Sequence, residues 1–157
     1  MNVEPQPHLF GSLYAFESYD YRLSTVGKDE ELLEQMKGLR LTVAQEVDSY
    51  FSAMKRSETT YIDPVIISLV NPMSLELVNK LLNKLGWRFG KVEELTAFLA
   101  AFSELPKPKV MAPKTVIKVH GVEHVPVLEI TSATRTLGLQ VVNTVVQPDC
   151  GILLVRR

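Results

Sequence analysis

Cysteine and long apolar runs are scarce in this sequence. Cys150 is its one cysteine, which excludes an internal disulfide framework and a cysteine zinc cage. No apolar run comes near the roughly 20 residues that a membrane-spanning helix requires, and the start of the chain lacks the basic and apolar regions of a secretory signal. We therefore expect a protein of the cytoplasm, or of a particle assembled there, without a membrane partner.

An excess of charge of either sign is also absent. Seventeen basic and eighteen acidic residues give a net charge of −1. A protein of this balance has no overall field that attracts a polyanion, so any nucleic-acid contact has to depend on a local basic patch. With 46% hydrophobic residues in a chain of 157, a sizeable core can be buried, and one folding unit is expected.

The most regular pattern that is present predicts one long helix over residues 28–56. Acidic residues at its start and basic residues at its end suit the helix dipole, whereas Gly38 and Arg40 interrupt its middle. At about 1.5 Å per residue it would be on the order of 40 Å long, so part of its apolar seam is expected to contact a partner. The seam consists of Leu33, Met36, Val43, Val47, Tyr50 and Met54.

Shorter elements are predicted on either side of this helix. Alternating residues indicate an N-terminal strand over residues 9–17, and the apolar run 65–70 is typical of a short buried strand. Two helices are expected next, over residues 72–85 and from Lys91 to about Phe102, and Gly86 is placed to end the first. A short connection through residues 87–90 would make them a helical hairpin.

Three prolines within residues 105–113 exclude a helix there and predict a Pro/Lys linker. Residues 1–104 would then form a mainly helical lobe with the N-terminal strand, and residues 114–157 a small β lobe packed on it. Turns at residues 120–123 and 147–151 favour hairpins in the second lobe. Its β-forming segments predict a four-stranded antiparallel sheet over residues 115–120, 124–130, 139–146 and 152–155. The predicted fold class is α+β.

Few residues are candidates for chemistry. His120, Glu123 and His124 have the side chains of metal ligands, but the glycine between them favours a turn, and structural metal sites need about four ligands. Cys150 follows Asp149, whose charge disfavours the thiolate that covalent catalysis requires. Nucleophile motifs and a glycine-rich phosphate loop are absent from the sequence. We therefore predict no catalytic residue, no metal and no cofactor.

Two sets of residues are candidates for binding macromolecules. Aromatic residues are enriched at the centres of protein interfaces, so the candidate interface combines them with the helix seam: Tyr14, Phe16, Met36, Val43, Val47, Trp87 and Phe89. A stretch of lysines without acidic residues is the candidate contact to a phosphate backbone: Lys107, Lys109, Lys114 and Lys118. No aromatic residue interleaves with these lysines, as stacking on bases would require.

These patterns favour a non-catalytic structural, assembly or adaptor subunit that binds itself or other proteins and forms oligomers. A component of a virion or of a secretion machine would fit this description. A nucleic-acid-associated protein that uses residues 107–118 is one alternative. A small enzyme, with a site assembled from residues distant in the sequence, is the other.

Overall fold

A computed structural model of the chain describes residues 16–21, 24–27, 29–56, 58–102, 105, 107–143 and 145–157. Within these ranges the helices are α1 (Asp29–Leu39), α2 (Gln45–Ala53), α3 (Leu75–Asn83) and α4 (Val92–Phe102). The strands are β1 (Phe16–Tyr21), β2 (Ser24–Val26), β3 (Thr42–Val43), β4 (Thr60–Ile62), β5 (Pro64–Leu69), β6 (Met73–Ser74), β7 (Trp87–Phe89), β8 (Lys109–Met111), β9 (Ile117–Val119), β10 (Val122–Ile130), β11 (Arg135–Val141), β12 (Val145–Val146) and β13 (Cys150–Arg156).

The protein is α+β, and nine of the described strands form one mixed sheet. Seven of them follow the order β1-β5-β13-β8-β10-β11-β3, while β7 pairs with β13 and β9 pairs with β10. The central strand β13 is antiparallel to β5, where Ile152 faces Ile67, and parallel to β8, where Gly151 faces Val110. Two smaller pairs, β2 with β4 and β6 with β12, lie beside the large sheet.

The central strands are apolar along their length because helices cover both faces of the sheet. All six residues of β5 are buried, and the prediction of a short buried strand there is confirmed. Ile67 packs in one core cluster with Val78 of α3, whereas its neighbour Ile66 packs in the other with Phe98 of α4. The second cluster also includes residues of α1 and α2, so three helices lie on one face and α3 lies on the other.

The predicted long helix over residues 28–56 is wrong. Arg40 has a φ of 56°, a left-handed conformation in which a right-handed helix does not continue, and α1 ends before it. Val43 then lies in β3 and pairs with Leu137 at the edge of the sheet, and the Ala44 N–H donates to the Leu137 carbonyl at 2.9 Å. The edge of β11 thus gives these residues backbone partners that periodicity alone does not reveal.

The predicted four-stranded antiparallel sheet at the C-terminal end is wrong as well. The strands from this region join the large mixed sheet, where β13 gains buried neighbours on both sides. The predicted hairpin turn at His120 and Gly121 is confirmed: both residues have the positive φ that a two-residue turn of this kind requires. The turn before Cys150 joins no hairpin, because β12 pairs with β6 instead of β13.

The predicted helical hairpin is also wrong, although both of its helices exist. α3 and α4 pack on opposite faces of the sheet, and β7, which pairs with β13, separates them. The reason is a long-range pairing, because the extended backbone of β7 forms strand hydrogen bonds with β13 where a short turn was expected. Gly86, with a φ of 80°, lies at the turn after α3.

Three further expectations meet the structure only in part. β1 begins at Phe16, so residues 9–15 of the predicted N-terminal strand lie outside the described residues. β8 lies within the predicted linker, and β13 of the predicted β lobe pairs with β5 and β7 of the predicted helical lobe. The division into lobes at these boundaries stays a prediction.

Among the described residues, no helix has both the length and the apolarity to span a membrane.

Candidate binding groove between two helices

A groove of about 480 Å³ lies between α1 and α2, and we call it the α1–α2 groove. Its floor is apolar: Leu32 is buried, and Met36, Phe51 and Met54 are half-buried. Methionine side chains are unbranched and flexible, so they adapt their shape to a partner surface. The polar residues at its border are Asp48, Ser52 and Lys55.

Helical spacing explains why these side chains converge. Leu32 and Met36 are four residues apart on α1, and Phe51 follows Asp48 by three residues on α2, so each pair shares one helix face. Val47, directly before Asp48, is fully buried in the core. The groove is therefore continuous with the core of the helical face, and its apolar floor is open to solvent.

A polar network fixes the start of α4, which packs on the same face of the sheet as α1 and α2. Glu94 accepts two hydrogen bonds from the Arg88 guanidinium, at 2.8 and 2.7 Å, and a third from the Lys91 backbone N–H at 2.8 Å. The last bond is one half of a capping box, in which the glutamate of the first turn satisfies the N–H that precedes the helix. The Thr115 hydroxyl accepts from the Val92 N–H at 2.9 Å.

The second glutamate of this turn contacts the end of α2. The Tyr50 hydroxyl lies 3.4 Å from Glu93 Oε1, and Arg56 Nη1 lies 4.0 Å from Glu93 Oε2. Arg56 also donates to the Gly27 carbonyl at 2.9 Å and to the Thr60 hydroxyl at 2.8 Å. Because Arg56 follows Met54 and Lys55 directly, these bonds hold one wall of the α1–α2 groove against β2, β4 and α4.

Two pKa values reflect this network. The hydrogen bond to Glu94 is the largest effect on Arg88 and raises its pKa, so the guanidinium stays charged. Burial, followed by the negative charge of Glu93, raises the pKa of Tyr50. The tyrosine therefore remains a neutral hydrogen-bond donor at ordinary pH.

The structure distributes the predicted interface residues over several places. Tyr14 lies outside the described residues, and Phe16 begins β1. Met36 lines the α1–α2 groove, Val43 is half-buried in β3, and Val47 is buried in the core. The two aromatic residues of β7 lie elsewhere: Trp87 is buried in the α3-side core, and Phe89 is half-buried against it. Of the predicted interface residues that the structure describes, only Met36 lines the α1–α2 groove.

The four predicted lysines do not form a single surface. Lys109 lies 3.9 Å from Glu129 on the neighbouring strand, and Lys118 faces Glu123 in the β9–β10 pair. Lys107 is half-buried near the start of β8. Lys114 is exposed elsewhere, at a cavity that Arg88 and Arg157 also line.

The candidate metal cluster at the β9–β10 turn is open and dispersed. His120 and Glu123 are exposed, and the half-buried His124 has its Nδ1 at 2.8 Å from the Val122 carbonyl. No group of three or more His, Cys, Asp or Glu side chains in the described ranges is arranged to hold a metal ion.

The Cys150 thiol is expected to react slowly in the folded protein. Burial, and second the charge of Asp149, raise its pKa from 9.0 to about 11. At about pH 8 the thiolate fraction is then roughly 100-fold lower than in the unfolded chain, and Ellman's reagent should label the folded protein slower by at least that factor. Because the folded pKa is the higher one, the stability linked to this thiol is present below about pH 9 and is lost as pH rises through about 11. Equal labelling rates before and after unfolding in guanidinium would contradict the burial.

Several residues that shape the site were not selected from the sequence. Leu32 is adjacent in the sequence to Leu33 of the predicted seam, and Phe51 is adjacent to Tyr50. Because two helices replace the predicted long one, a different set of apolar residues lines a common surface. Arg88 is not among the predicted interface or phosphate-contact residues. Glu94 lies three residues after Lys91, which is the spacing of a capping glutamate, but Lys91 is not one of the Ser, Thr, Asp or Asn residues that complete the usual signature.

Comparison with known proteins gives no relative from which a role can be transferred. No protein-family model matches the chain, and no curated protein and no solved structure shows significant similarity to it. The function has to be argued from the groove itself.

Proposed function

We propose that the protein is a non-catalytic assembly subunit that binds a second copy of itself through the α1–α2 groove. The observation that carries this proposal is the apolar floor of a groove of about 480 Å³ that is open at the surface. An apolar groove between two helices suits an apolar helix face, which would bury its side chains there. Burial of one leucine- or methionine-sized side chain contributes about 1.5–3 kcal/mol.

The charges at the border favour a second copy as the occupant. Asp48 lies on α2, Lys55 lies two residues after the end of this helix, and the two side chains carry opposite charges. In a twofold interface every contact between two different residues occurs twice, once in each direction. Asp48 of one copy would therefore face Lys55 of the other, and Lys55 of the first would face Asp48 of the second. The half-buried Met36, Phe51 and Met54 of one copy would then pack against those of the other.

The proposal also includes the cellular compartment in which the subunit assembles. A single cysteine that is buried as a free thiol fits a reducing compartment, which supports the cytoplasm or a particle assembled there. A structural subunit of this kind needs partners and no cofactor.

Replacement of Met36 by glutamine is expected to weaken self-association by about tenfold or more. The change places a polar amide on the apolar floor, and about 1.4 kcal/mol of lost burial corresponds to a factor of ten in Kd. Sedimentation equilibrium measures the effect. Leu77→Gln is the matched control, because Leu77 is 46% exposed on α3, away from the groove. Equal weakening by both variants, or none by Met36→Gln, would contradict the groove as the interface.

A further inference from the structure

A second surface, independent of the groove, combines two neighbouring cavities of about 300 and 280 Å³. Arg88 and Arg157 line both of them. The first cavity adds Tyr61, Asp63 and Arg156, and the second adds Lys114 and Asn79. The first volume is at the lower limit of the range of small-molecule pockets, about 300–1,000 Å³, and the second is slightly below it.

The balance of charged side chains around the two cavities is positive, although the whole chain has a net charge of −1. Lys114 and Arg157 are exposed, and among the described residues neither has a carboxylate within ion-pair distance. Arg156 pairs with Asp63 at 3.0 Å and lies 5.0 Å from the centre of the Trp87 ring. The cations therefore outnumber the carboxylates that neutralise them, which favours an anionic ligand.

Arg88 lines both cavities and has donors that its bonds within the protein do not use. A guanidinium has five N–H donors, and the bonds to Glu94 and to the Phe89 carbonyl use three of them, both on Nη1 and one on Nη2. The Nε–H and the second Nη2–H point to the same side of the group and have no protein acceptor in the described part of the chain. Such a parallel pair matches two oxygens of a phosphate. The Arg88 side chain is 25% exposed, so a ligand can reach it.

The backbone and α3 hold Arg157 in place beside this pair. Its Nε donates to the Trp87 carbonyl at 3.3 Å, and its Nη2 donates to the Asn83 side chain. Its backbone N–H donates to the Gly86 carbonyl at 2.9 Å. Because these bonds orient the guanidinium before any ligand binds, the entropy cost of binding is reduced.

An exposed aromatic residue at the first cavity adds a second kind of contact. Tyr61 is 81% exposed, the largest exposure among the exposed apolar side chains of the described residues. Aromatic rings beside arginines are the surfaces on which nucleobases stack in proteins that bind single strands. A ring next to phosphate-binding donors thus suits a ligand that carries both a phosphate and a planar base.

We propose that this surface binds a nucleotide unit, with its phosphate on Arg88 and Arg157 and its base on Tyr61. The same chemistry is found in a free mononucleotide and in a single-stranded oligonucleotide. Lys114, one of the lysines that the sequence indicated, would contact the next phosphate of a strand. The site is separate from the α1–α2 groove and does not depend on self-association.

Fluorescence anisotropy with a labelled oligo-dT of about 12 nucleotides at about 50 mM salt tests the proposal, with AMP and inorganic phosphate as competitors. Arg157→Glu is expected to weaken binding by at least tenfold, whereas Lys37→Glu, the same charge change at an exposed site on α1, should change it less than about twofold. Loss of one phosphate contact should reduce the slope of log K against log salt by about 0.7. Tyr61→Ala should weaken binding by about fivefold or more, and Tyr61→Phe should retain it.

The competitors separate the two sources of the ligand. Competition by AMP at the Arg157-dependent site identifies a free nucleotide, and binding of the oligonucleotide alone with the same dependence identifies a strand; either supports the site. The proposal is overturned if neither oligo-dT nor AMP binds, or if Lys37→Glu weakens binding as much as Arg157→Glu. It is also overturned if poly-glutamate binds equally well and Tyr61→Ala has no effect, because the surface would then be a general anion patch.

Discussion

Replacement of Glu94 by glutamine is expected to lower the free energy of unfolding by about 3 kcal/mol. The change keeps the side chain's ability to accept from the Lys91 N–H but removes the negative charge that pairs with Arg88. Breaking a buried pair costs about 3–5 kcal/mol, and the 25% exposure of the Arg88 side chain places the expected value at the lower end. Urea unfolding followed by circular dichroism measures it.

The matched control for this variant is Glu76→Gln on α3. Glu76 pairs with Lys80 at 3.5 Å, and both side chains are largely exposed, so the expected loss is below about 0.5 kcal/mol. Glu94→Gln should also loosen the α1–α2 groove, because Glu93 beside it contacts Tyr50 and Arg56. A loss at Glu94 no larger than the control would show that the pair does not hold α4 in place.

Addition of a methyl group at Gly90 is the second change with a large expected effect, about 3 kcal/mol for Gly90→Ala. The Gly90 N–H donates to the Leu153 carbonyl at 2.7 Å, and a Cβ at position 90 would lie 2.5 Å from Leu153 Cγ and Cδ2. Leu153 is fully buried in the α4-side core, so its side chain has little room to move away. Overpacking of a tight core typically costs about 1–3 kcal/mol.

A double-mutant cycle with Leu153→Ala isolates this contact. The single change Leu153→Ala is expected to cost about 3 kcal/mol through the cavity that it leaves. In the double variant the methyl group added at position 90 occupies part of that space, so the combined loss should fall short of the sum by at least about 2 kcal/mol. Gly138→Ala is the control and should be close to neutral, since nothing lies within 4 Å of its added Cβ. Additive losses at positions 90 and 153 would contradict the close approach.

The elements that the sequence predicts correctly are those determined by local pattern. Residues 65–69 of the predicted apolar run 65–70 are buried in β5, and α4 starts at Val92, next to the predicted Lys91. The turn at His120 and Gly121 needs two residues with positive φ, and glycine is the residue best suited to that conformation. In each case the residues that determine the local structure are adjacent in the sequence.

The elements that were predicted wrongly depend on partners distant in the sequence. β3 exists because Val43 meets Leu137, more than 90 residues away, and β6 exists because its partner is β12. The helical periodicity of residues 28–56 carries no information about such a pairing, so the sequence marks Gly38 and Arg40 as an interruption of the helix but not as its end. The central place of β13 between β5 and β8 is likewise a long-range pairing.

The same distinction applies to the candidate sites. Met36 was predicted as an interface residue from its helical spacing, and it does line the groove. The groove itself depends on the angle between α1 and α2, which follows from β3. Arg88 and Arg157 are brought together by the pairing of β7 with β13, which no short motif signals. Lysines close in the sequence, by contrast, lie on separate parts of the surface because the strands between them turn.

The molecular mass of the purified chain in solution tests the proposed self-association most directly. Light scattering behind size exclusion, at two protein concentrations and at low and high salt, gives this mass without a standard. A dimer through the α1–α2 groove predicts twice the 17.6 kDa chain mass, retained at high salt because the buried surface is apolar, and reduced toward one chain mass by Met36→Gln. A mass of one chain at both concentrations would contradict the proposal that the groove binds a second copy.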